Sequence, residues 1–597
     1  MNVFGHFLGE IMANASSVSP VLRHYNNVLA SACVVFSAAG LMGVASAAQA
    51  QNAPTRGELE LPTVASDRGA PKRAVRQEAM LRAPCPLADS SLTMAVERVV
   101  FTGLGGAELP AEVAQSLAGI ALPSGTYPVS VVCDLRDQAN AALRGDHWIA
   151  SAIIPQQEIR DTLRIEVVTA KLSETKIVGD TGPYVSSLEK RLATLSQADV
   201  LNERTAERVL LLANDIPGLN LNMVLQPAGN AQGEVIGTVA ASYQPWAFYF
   251  NARNYNASQI GRETLFGRFE YYGLTGLDDL TFAGVSATVD FEEQVIVQAG
   301  HEFGLNTAGT RIGASITQAW TRPSVPNLPL AADTTIARFE IKQPVVRTPG
   351  VFFDLGGGLD LIDQAIDVGI AALSKDRLRT LFLRGDLTAR RLRPDGSTAM
   401  RLGAFAELRQ GTGLFGATDT GLLGLAETGG ITASRPFGNA QAFVMRGGVD
   451  LYGSVDRFAL RLRGEGQWTN DPLLNFDEYA VGNLTIGRGY DPGANSGDRA
   501  LAFSAEPSVT VIDSAKFNLE AYAFYDWVRL ENLDPATPQA VRDLDSWGGG
   551  IRAIMSKGLV LDLTYAKPLK PALFTDITRP TERVLVSLTM QFPSLIR

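Results

Sequence analysis

Cysteine and histidine are scarce in this chain: its 597 residues include three cysteines and four histidines. No HExxH motif, no serine, histidine and aspartate spacing and no cluster of metal ligands occurs in the sequence. Beyond residue 50 only His147 and His301 remain, and they lie in different segments. These absences exclude most catalytic chemistry, so we predict no enzyme, no cofactor and no metal site.

Long apolar runs are lacking as well. Beyond residue 50 no run approaches the roughly 20 apolar residues of a spanning helix, so a helical membrane protein is excluded although 46% of the residues are hydrophobic. Positive charge is also in deficit, since the formal net charge is −10. Neutralising a phosphate backbone takes clustered lysine and arginine, which excludes nucleic acid as a partner.

Residues 1–50 are typical of a secretory signal peptide. A weakly basic region precedes an apolar run over 29–44, and small residues end at Ala50. A membrane anchor is the alternative, which the shortness of the run disfavours. Cleavage after Ala50 leaves Cys85 and Cys133 as the only cysteine pair, in an oxidising compartment. We expect these two to form a disulfide, with two unpaired thiols as the alternative.

The pattern beyond residue 50 changes three times. Residues 51–90 are rich in proline, glycine and charge and are predicted to be a linker, with one possible short helix at Pro71–Leu81. Residues 91–169 and 170–241 each contain the order strand, helix, helix, strand, strand. Two successive α+β domains are therefore predicted before the C-terminal part, residues 242–597.

The C-terminal part alternates apolar and polar side chains in segments of about ten residues, as transmembrane β-barrels do. In Leu378–Arg390, for example, Leu381 and Leu383 share one face while Arg384 and Asp386 share the other. We count sixteen such strands and predict an antiparallel barrel that closes on itself, because an open edge in lipid leaves backbone groups unpaired. A soluble β-sandwich is the alternative. The last strand ends in an aromatic residue, Phe592.

One connection stands out because it places a single cation between two glycines. Arg488 lies between Gly487 and Gly489, in the long loop between the eleventh and twelfth predicted strands. In the thirteenth strand the alternation directs Asp526 into the lumen, whereas Tyr525 and its neighbour Trp527 belong to the outward aromatic girdle.

These motifs make the chain resemble an outer-membrane transporter of two-partner secretion, of the haemolysin secretion/activation type. Gly487-Arg488-Gly489-Tyr490 is similar to the family's motif in the sixth extracellular loop, which folds back into the pore. Phe524-Tyr525-Asp526 is similar to the start of its Phe-x-Asp-x-Gly strand motif, with Val528 in place of the last glycine. The cysteine positions and the turn Pro155–Gln157 also resemble the first of the family's two POTRA domains.

The resemblance implies a fold, a location and a function. It implies two periplasmic POTRA domains before a sixteen-stranded barrel in the outer membrane of a Gram-negative bacterium. It also implies that the possible helix at Pro71–Leu81 is a plug helix. The implied partners are a secreted exoprotein client, outer-membrane lipid and the barrel-assembly machinery, and the POTRA domains would capture the client for export. The alternatives are an insertase for other outer-membrane proteins, and a general porin or adhesin barrel.

The resemblance also implies a role for the loop arginine. Arg488 is expected to pair with Asp526 on the lumen wall and to latch the loop inside the barrel. In the alternative interpretation, the arginine only braces the barrel.

Overall fold

A computed structural model of the chain describes residues 54–59, 85, 87–229, 232–419, 430–482, 484–555 and 558–593. The predicted signal peptide and the predicted plug helix at Pro71–Leu81 lie outside these residues. The first described element is instead a single helical turn, α1 (Arg56–Leu59). None of the described helices is long and apolar enough to cross a membrane.

The first α+β domain follows the predicted order and adds a small two-stranded sheet, which the sequence did not predict because its strands have only four residues each. Its elements are β1 (Thr93–Val96), β2 (Arg98–Thr102), α2 (Ala111–Leu117), β3 (Gly125–Pro128), α3 (Val131–Gly145), β4 (Ala150–Ile153) and β5 (Thr162–Thr169). Strands β2, β5 and β4 form one sheet, while β1 pairs with β3. A disulfide joins Cys85 to Cys133 of α3, with the two Cα atoms 5.8 Å apart. It ties the start of the domain to its second helix.

The second α+β domain has the same order. Its elements are β6 (Lys171–Gly179), α4 (Val185–Ser196), α5 (Glu203–Asn214), β7 (Leu219–Pro227) and β8 (Glu234–Tyr243). Strand β8 lies between β6 and β7 in the sheet. The apolar faces of both helices pack on this sheet around Leu188, Leu192 and Leu210, and Asn202 caps the start of α5 by accepting from the Arg204 N–H.

The C-terminal part is a closed barrel of sixteen antiparallel strands, as predicted. In chain order these strands are β9 (Trp246–Arg253), β10 (Thr264–Tyr272), β11 (Leu280–Thr288), β12 (Gln294–Gly304), β13 (Arg311–Thr321), β14 (Leu330–Arg347), β15 (Val351–Val368), β16 (Ala371–Leu392), β17 (Thr398–Gly411), β18 (Phe443–Val455), β19 (Phe458–Thr469), β22 (Arg499–Asp513), β23 (Phe517–Glu531), β24 (Val541–Met555), β25 (Leu559–Pro568) and β26 (Arg583–Phe592). Two short strands, β20 (Tyr479–Ala480) and β21 (Ser496–Gly497), pair with each other inside one long connection.

The two faces of the barrel wall differ as the alternation predicts. Leu381 and Leu383 are exposed on the outside, while Arg384 points inward and pairs with Asp386 and Glu407. Aromatic rings are exposed on the same outer face: Trp246, Phe269, Tyr271, Trp320, Phe339, Phe443, Trp468, Phe503, Tyr525, Trp547, Tyr565 and Phe592. A charged interior within an apolar, aromatic outer surface is the pattern of a barrel that crosses a membrane.

The second α+β domain docks through buried polar contacts on one end of the barrel, here called the near end; the opposite end is the far end. Arg191 of α4 donates from Nη2 to Asp278 in the turn between β10 and β11, at 2.9 Å, and both side chains are almost fully buried. Ser187 donates to the same carboxylate at 2.9 Å. Farther along, Arg347 of β14 pairs with Asp215 at 2.7 Å. These contacts attach the domain to the turn between β10 and β11 and to the end of β14.

Candidate functional site: a pore loop held inside the barrel

The connection between β19 and β22, residues 470–498 and here called loop 6, folds into the barrel from the far end. Its side chains Ile486 and Tyr490 are fully buried. They belong to an apolar cluster with Val528 and Leu530 of β23 and with Leu544 of β24. The valine that replaces the family's glycine is thus a packing surface for the loop.

Arg488 is the polar centre of the loop tip. Its Nε and Nη2 atoms donate to the two oxygens of Asp526, at 3.0 and 2.8 Å, and its backbone N–H donates to the same carboxylate at 2.9 Å. Nη1 pairs with Glu506 at 2.5 Å, and Nη2 also donates to the Ser504 hydroxyl at 2.9 Å. Three strand residues on two neighbouring strands, β22 and β23, therefore bind one guanidinium, in the forked geometry that arginine favours.

An aromatic ring completes the arginine site. The guanidinium carbon of Arg488 lies 3.6 Å from the ring centroid of Phe524, a cation–π contact. The ring is itself positioned by Gly548 on the next strand, where a Cβ atom would lie 2.7 Å from the ring. Phe524, the aromatic residue of the strand motif, therefore packs against the guanidinium of Arg488.

The two glycines of the motif are there because the backbone comes too close for a side chain. Gly487 has φ +119°, and a Cβ atom on it would lie 2.7 Å from Val481. A Cβ atom on Gly489 would lie 2.6 Å from Cβ of Ser546, whose hydroxyl accepts from the Gly489 N–H at 3.2 Å. The loop can press against the wall only without side chains at these positions.

Tyr490 anchors the other side of the tip. Its hydroxyl donates to the carbonyl of Asp545 at 2.9 Å and accepts from the N–H of Lys570 at 3.3 Å. Burial raises the pKa of the Tyr490 phenol above its ordinary value, so it is present as a neutral donor.

The structure thus brings the predicted loop residues, Gly487 to Tyr490, together with Phe524 and Asp526 of the strand motif, while Tyr525 is exposed on the outer face. It also adds three residues that were not predicted: Ser504, Glu506 and Ser546. The alternation of β22 places Ser504 and Glu506 on its inward face, which is the signal that could have found them. The alternation does not tell how high on the wall each residue sits, so it could not identify their partner.

The N-terminal turn α1 occupies the lumen beside loop 6. Glu58 closes a capping box, because its carboxylate accepts from the N–H and hydroxyl of Thr55 at 2.6 and 2.8 Å. Burial raises the pKa of Glu58 to about 7. Leu59 fills an apolar socket whose other buried members are Phe266, Ile296, Ala319, Ile362, Leu378, Ala440, Leu474 and Phe476.

Comparison with known proteins identifies the class of transporter. The model of the family described as haemolysin secretion/activation protein ShlB/FhaC/HecB matches residues 235–553, more than half of the chain. The chain belongs to this family. It is therefore an outer-membrane transporter that exports a partner exoprotein, and its α+β domains are POTRA domains in the periplasm. The far end of the barrel, with loop 6, faces the cell exterior.

Solved structures share the fold of this chain. CdiB from Escherichia coli has a TM-score of 0.68 at 17% identity, covering 88% of this chain and 94% of that one. CdiB from Acinetobacter baumannii has a TM-score of 0.62 at 14% identity, covering 88% and 95%. BamA from Haemophilus ducreyi lacking POTRA domains 1–3 has a TM-score of 0.50 at 12% identity, covering 84% and 100%. No curated protein matches the chain.

Proposed function

We propose that this family member is a gated exporter whose resting pore is closed by loop 6 and α1 together. The client, a large haemolysin-like or adhesin-like exoprotein, passes through the lumen after both segments have left it. The observation that carries the proposal is the Arg488 site. A buried cation with two carboxylate partners is a discrete, switchable attachment, since one side chain connects the loop to the wall.

The contact between α1 and loop 6 allows a direct test. A Cβ atom placed on Gly57 would lie 3.8 Å from the Cβ atom of Leu484, which is about the mean distance between the two Cβ atoms of a disulfide. We expect the variant Gly57→Cys/Leu484→Cys, once oxidised in intact cells, to stop export, because the two obstructions are then joined inside the lumen. Reduction should restore export, measured as the fraction of client released into the medium.

The controls isolate the new bond. Each single cysteine variant should export normally under both conditions. Wild-type protein must export in reductant, because the same treatment reaches the native Cys85–Cys133 disulfide. Normal export by the fully oxidised double variant would show that α1 need not separate from the loop, and the gating proposal would then be abandoned.

The POTRA domains are proposed to capture the client by adding it as a strand. Strands β6 and β7 lie at the two edges of the second sheet, and main-chain pairing at such an edge tolerates many client sequences. Val178 on β6 and Val224 on β7 are 47% and 46% exposed. Each can carry a reporter without disturbing the core.

Photo-crosslinking tests this capture mode. A photoreactive residue in place of Val178 or Val224 is expected to trap the client during export, because the client strand would pass beside it. Val185 is the matched control, since it is equally exposed at 46% but begins the helix α4. Crosslinks of equal yield from all three positions would argue against strand addition.

The barrel's own membrane insertion completes the proposal. Strand β26 has the apolar residues Val584, Val586 and Leu588 at every second position and ends at Phe592. An aromatic-ended last strand of this kind suits recognition by the barrel-assembly machinery, and the outward apolar face suits contact with outer-membrane lipid.

A further inference from the structure

The loop tip carries a second charge, of opposite sign, three residues after Arg488. Asp491 Oδ1 lies 2.8 Å from Nη1 of Arg583 and 2.9 Å from Nη1 of Arg262. Arg583 is the first residue of β26, the last barrel strand, and is buried. Arg262 lies in the loop between β9 and β10, here called loop 1. The tip of loop 6 is therefore attached at two places: Arg488 to the wall formed by β22 and β23, and Asp491 to loop 1 and to the start of the last strand, β26.

Arg583 connects these elements through its remaining hydrogen bonds. Nη1 donates to the carbonyl of Tyr490 at 2.9 Å, in loop 6. Nη2 donates to the carbonyls of Tyr255 and Asn256 in loop 1, at 3.4 and 3.3 Å. One buried guanidinium thus bonds the pore loop and both strand ends at the point where the barrel closes.

The closure itself is the shortest strand pairing of the barrel wall. Strands β26 and β9 pair over six residues, fewer than any other neighbouring strands in the described barrel. Beyond the end of β9 the pairing is continued by a side chain. The amide of Asn254 donates to the carbonyl of Val584 at 2.9 Å and accepts from the N–H of Val586 at 2.7 Å. This extension ends next to Arg583.

We propose that Asp491 is a second latch and that it couples the position of loop 6 to closure of the barrel between β26 and β9. While the loop is inside, Asp491 holds Arg583 against loop 1 and the six-residue join stays shut. When the loop leaves, Arg583 loses its carboxylate and the extracellular end of the join relaxes, widening the path for the client. Asp491 is a positioning residue for export. The inference builds on the proposed gating by loop 6.

The test compares Asp491→Asn with a carboxylate in a similar setting elsewhere in the lumen. Asp450 of β18 also lies between two arginines, Arg461 and Arg401, and its side chain is 28% exposed against 25% for Asp491. We expect Asp491→Asn to raise the ion conductance of the resting pore in lipid bilayers about fivefold, because the join then relaxes while the loop is still inside; this is the factor for a partly exposed pair worth roughly 1 kcal/mol. Asp450→Asn should not change the conductance. Asp491→Glu keeps the charge and should keep the conductance near that of the wild type.

A second measurement separates coupling from a local effect. Hydrogen exchange of backbone amides in the full-length protein should become faster in β26 and β9 of Asp491→Asn, with β15 and β16 unchanged. The same faster exchange is expected, more weakly, for Arg262→Gln, which leaves the pair of Asp491 and Arg583 in place. This variant replaces Asp491→Asn in the experiment if Asp491→Asn does not insert into the membrane. Normal exchange in β26 and β9 would overturn the inference, whatever happens to the conductance. Normal export by Arg488→Ala would instead overturn the gating proposal, and the two failures are therefore distinguishable.

Discussion

Replacing Arg488 with alanine is expected to abolish export while the barrel remains in the outer membrane. Asp526 and Glu506 are 1% and 6% exposed, so the variant leaves two buried carboxylates without the cation that binds both. Removing one partner of a buried ion pair destabilises the folded arrangement by about 3–5 kcal/mol, because the other charge stays buried without compensation. Here the loss falls on docking of the loop, because the barrel strands keep their own hydrogen-bonded ladder. The tip, still kept in the lumen by the apolar contacts of Ile486 and Tyr490, then has no fixed position from which it can be released as a unit, and it blocks the client.

The measurement is the secreted fraction of the client, divided by the amount of folded barrel in the outer membrane. Asp526→Asn, which keeps the size of the side chain, should lose export in the same way. Arg488→Lys keeps the charge but not the fork or the stacking on Phe524, so an intermediate loss is expected. Arg461→Ala is the control, since Arg461 forms a half-exposed lumen pair with Asp450 worth under about 1 kcal/mol.

Two outcomes would contradict this interpretation. Wild-type export by Arg488→Ala would mean that the loop does not depend on the latch. If export and barrel abundance instead fall in proportion, the arginine braces the barrel, which is the alternative that the sequence left open.

Replacing Asp278 with alanine is expected to release the second POTRA domain from the barrel. The variant leaves Arg191, 4% exposed, without its carboxylate partner, which should weaken docking by about 3–5 kcal/mol. Backbone amides at the barrel-facing start of α4 should then exchange faster, and spin labels on α4 and the barrel should show a broadened distance distribution. Export should fall because a mobile domain no longer presents the client to the pore.

Asp199→Ala is the matched control for this prediction. Asp199 pairs with Lys171 in the same domain at 3.7 Å, and both side chains are more than half exposed. The expected effect is under about 1 kcal/mol. Unchanged protection of α4 in Asp278→Ala would show that the apolar contacts of the domain suffice to hold it.

The pore loop illustrates how far sequence patterns reach. Alternation in β23 put Asp526 on the inward face, and the glycines around Arg488 marked a backbone that must approach something closely. Glu506 was not found, because alternation determines on which face of a strand a residue lies. It does not determine the position of that residue along the barrel axis relative to a loop that folds back into the lumen. Asp491 was missed for the same reason, since its partner Arg583 lies 92 residues later, across the closure of the barrel.

The N-terminal segment shows a different limit. The sequence offered Pro71–Leu81 as a possible plug helix, and that segment lies outside the described residues; within them, the lumen holds Arg56–Leu59. Four residues are too few to show a helical period. Their place depends on Leu59 entering a socket assembled from five strands and two loops, all of them far from Leu59 in sequence.

The sequence by itself determined the class of the protein: an exported chain, two α+β domains, and a sixteen-stranded wall with a charged interior and an apolar exterior. These properties are periodic and local, so each segment carries its own signal. Only the tertiary structure decided which charges meet, how loop 6 is attached at two points, and how the second POTRA domain docks. Such contacts join residues far apart in the chain, and their partners are set by strand register and closure, which no local pattern encodes.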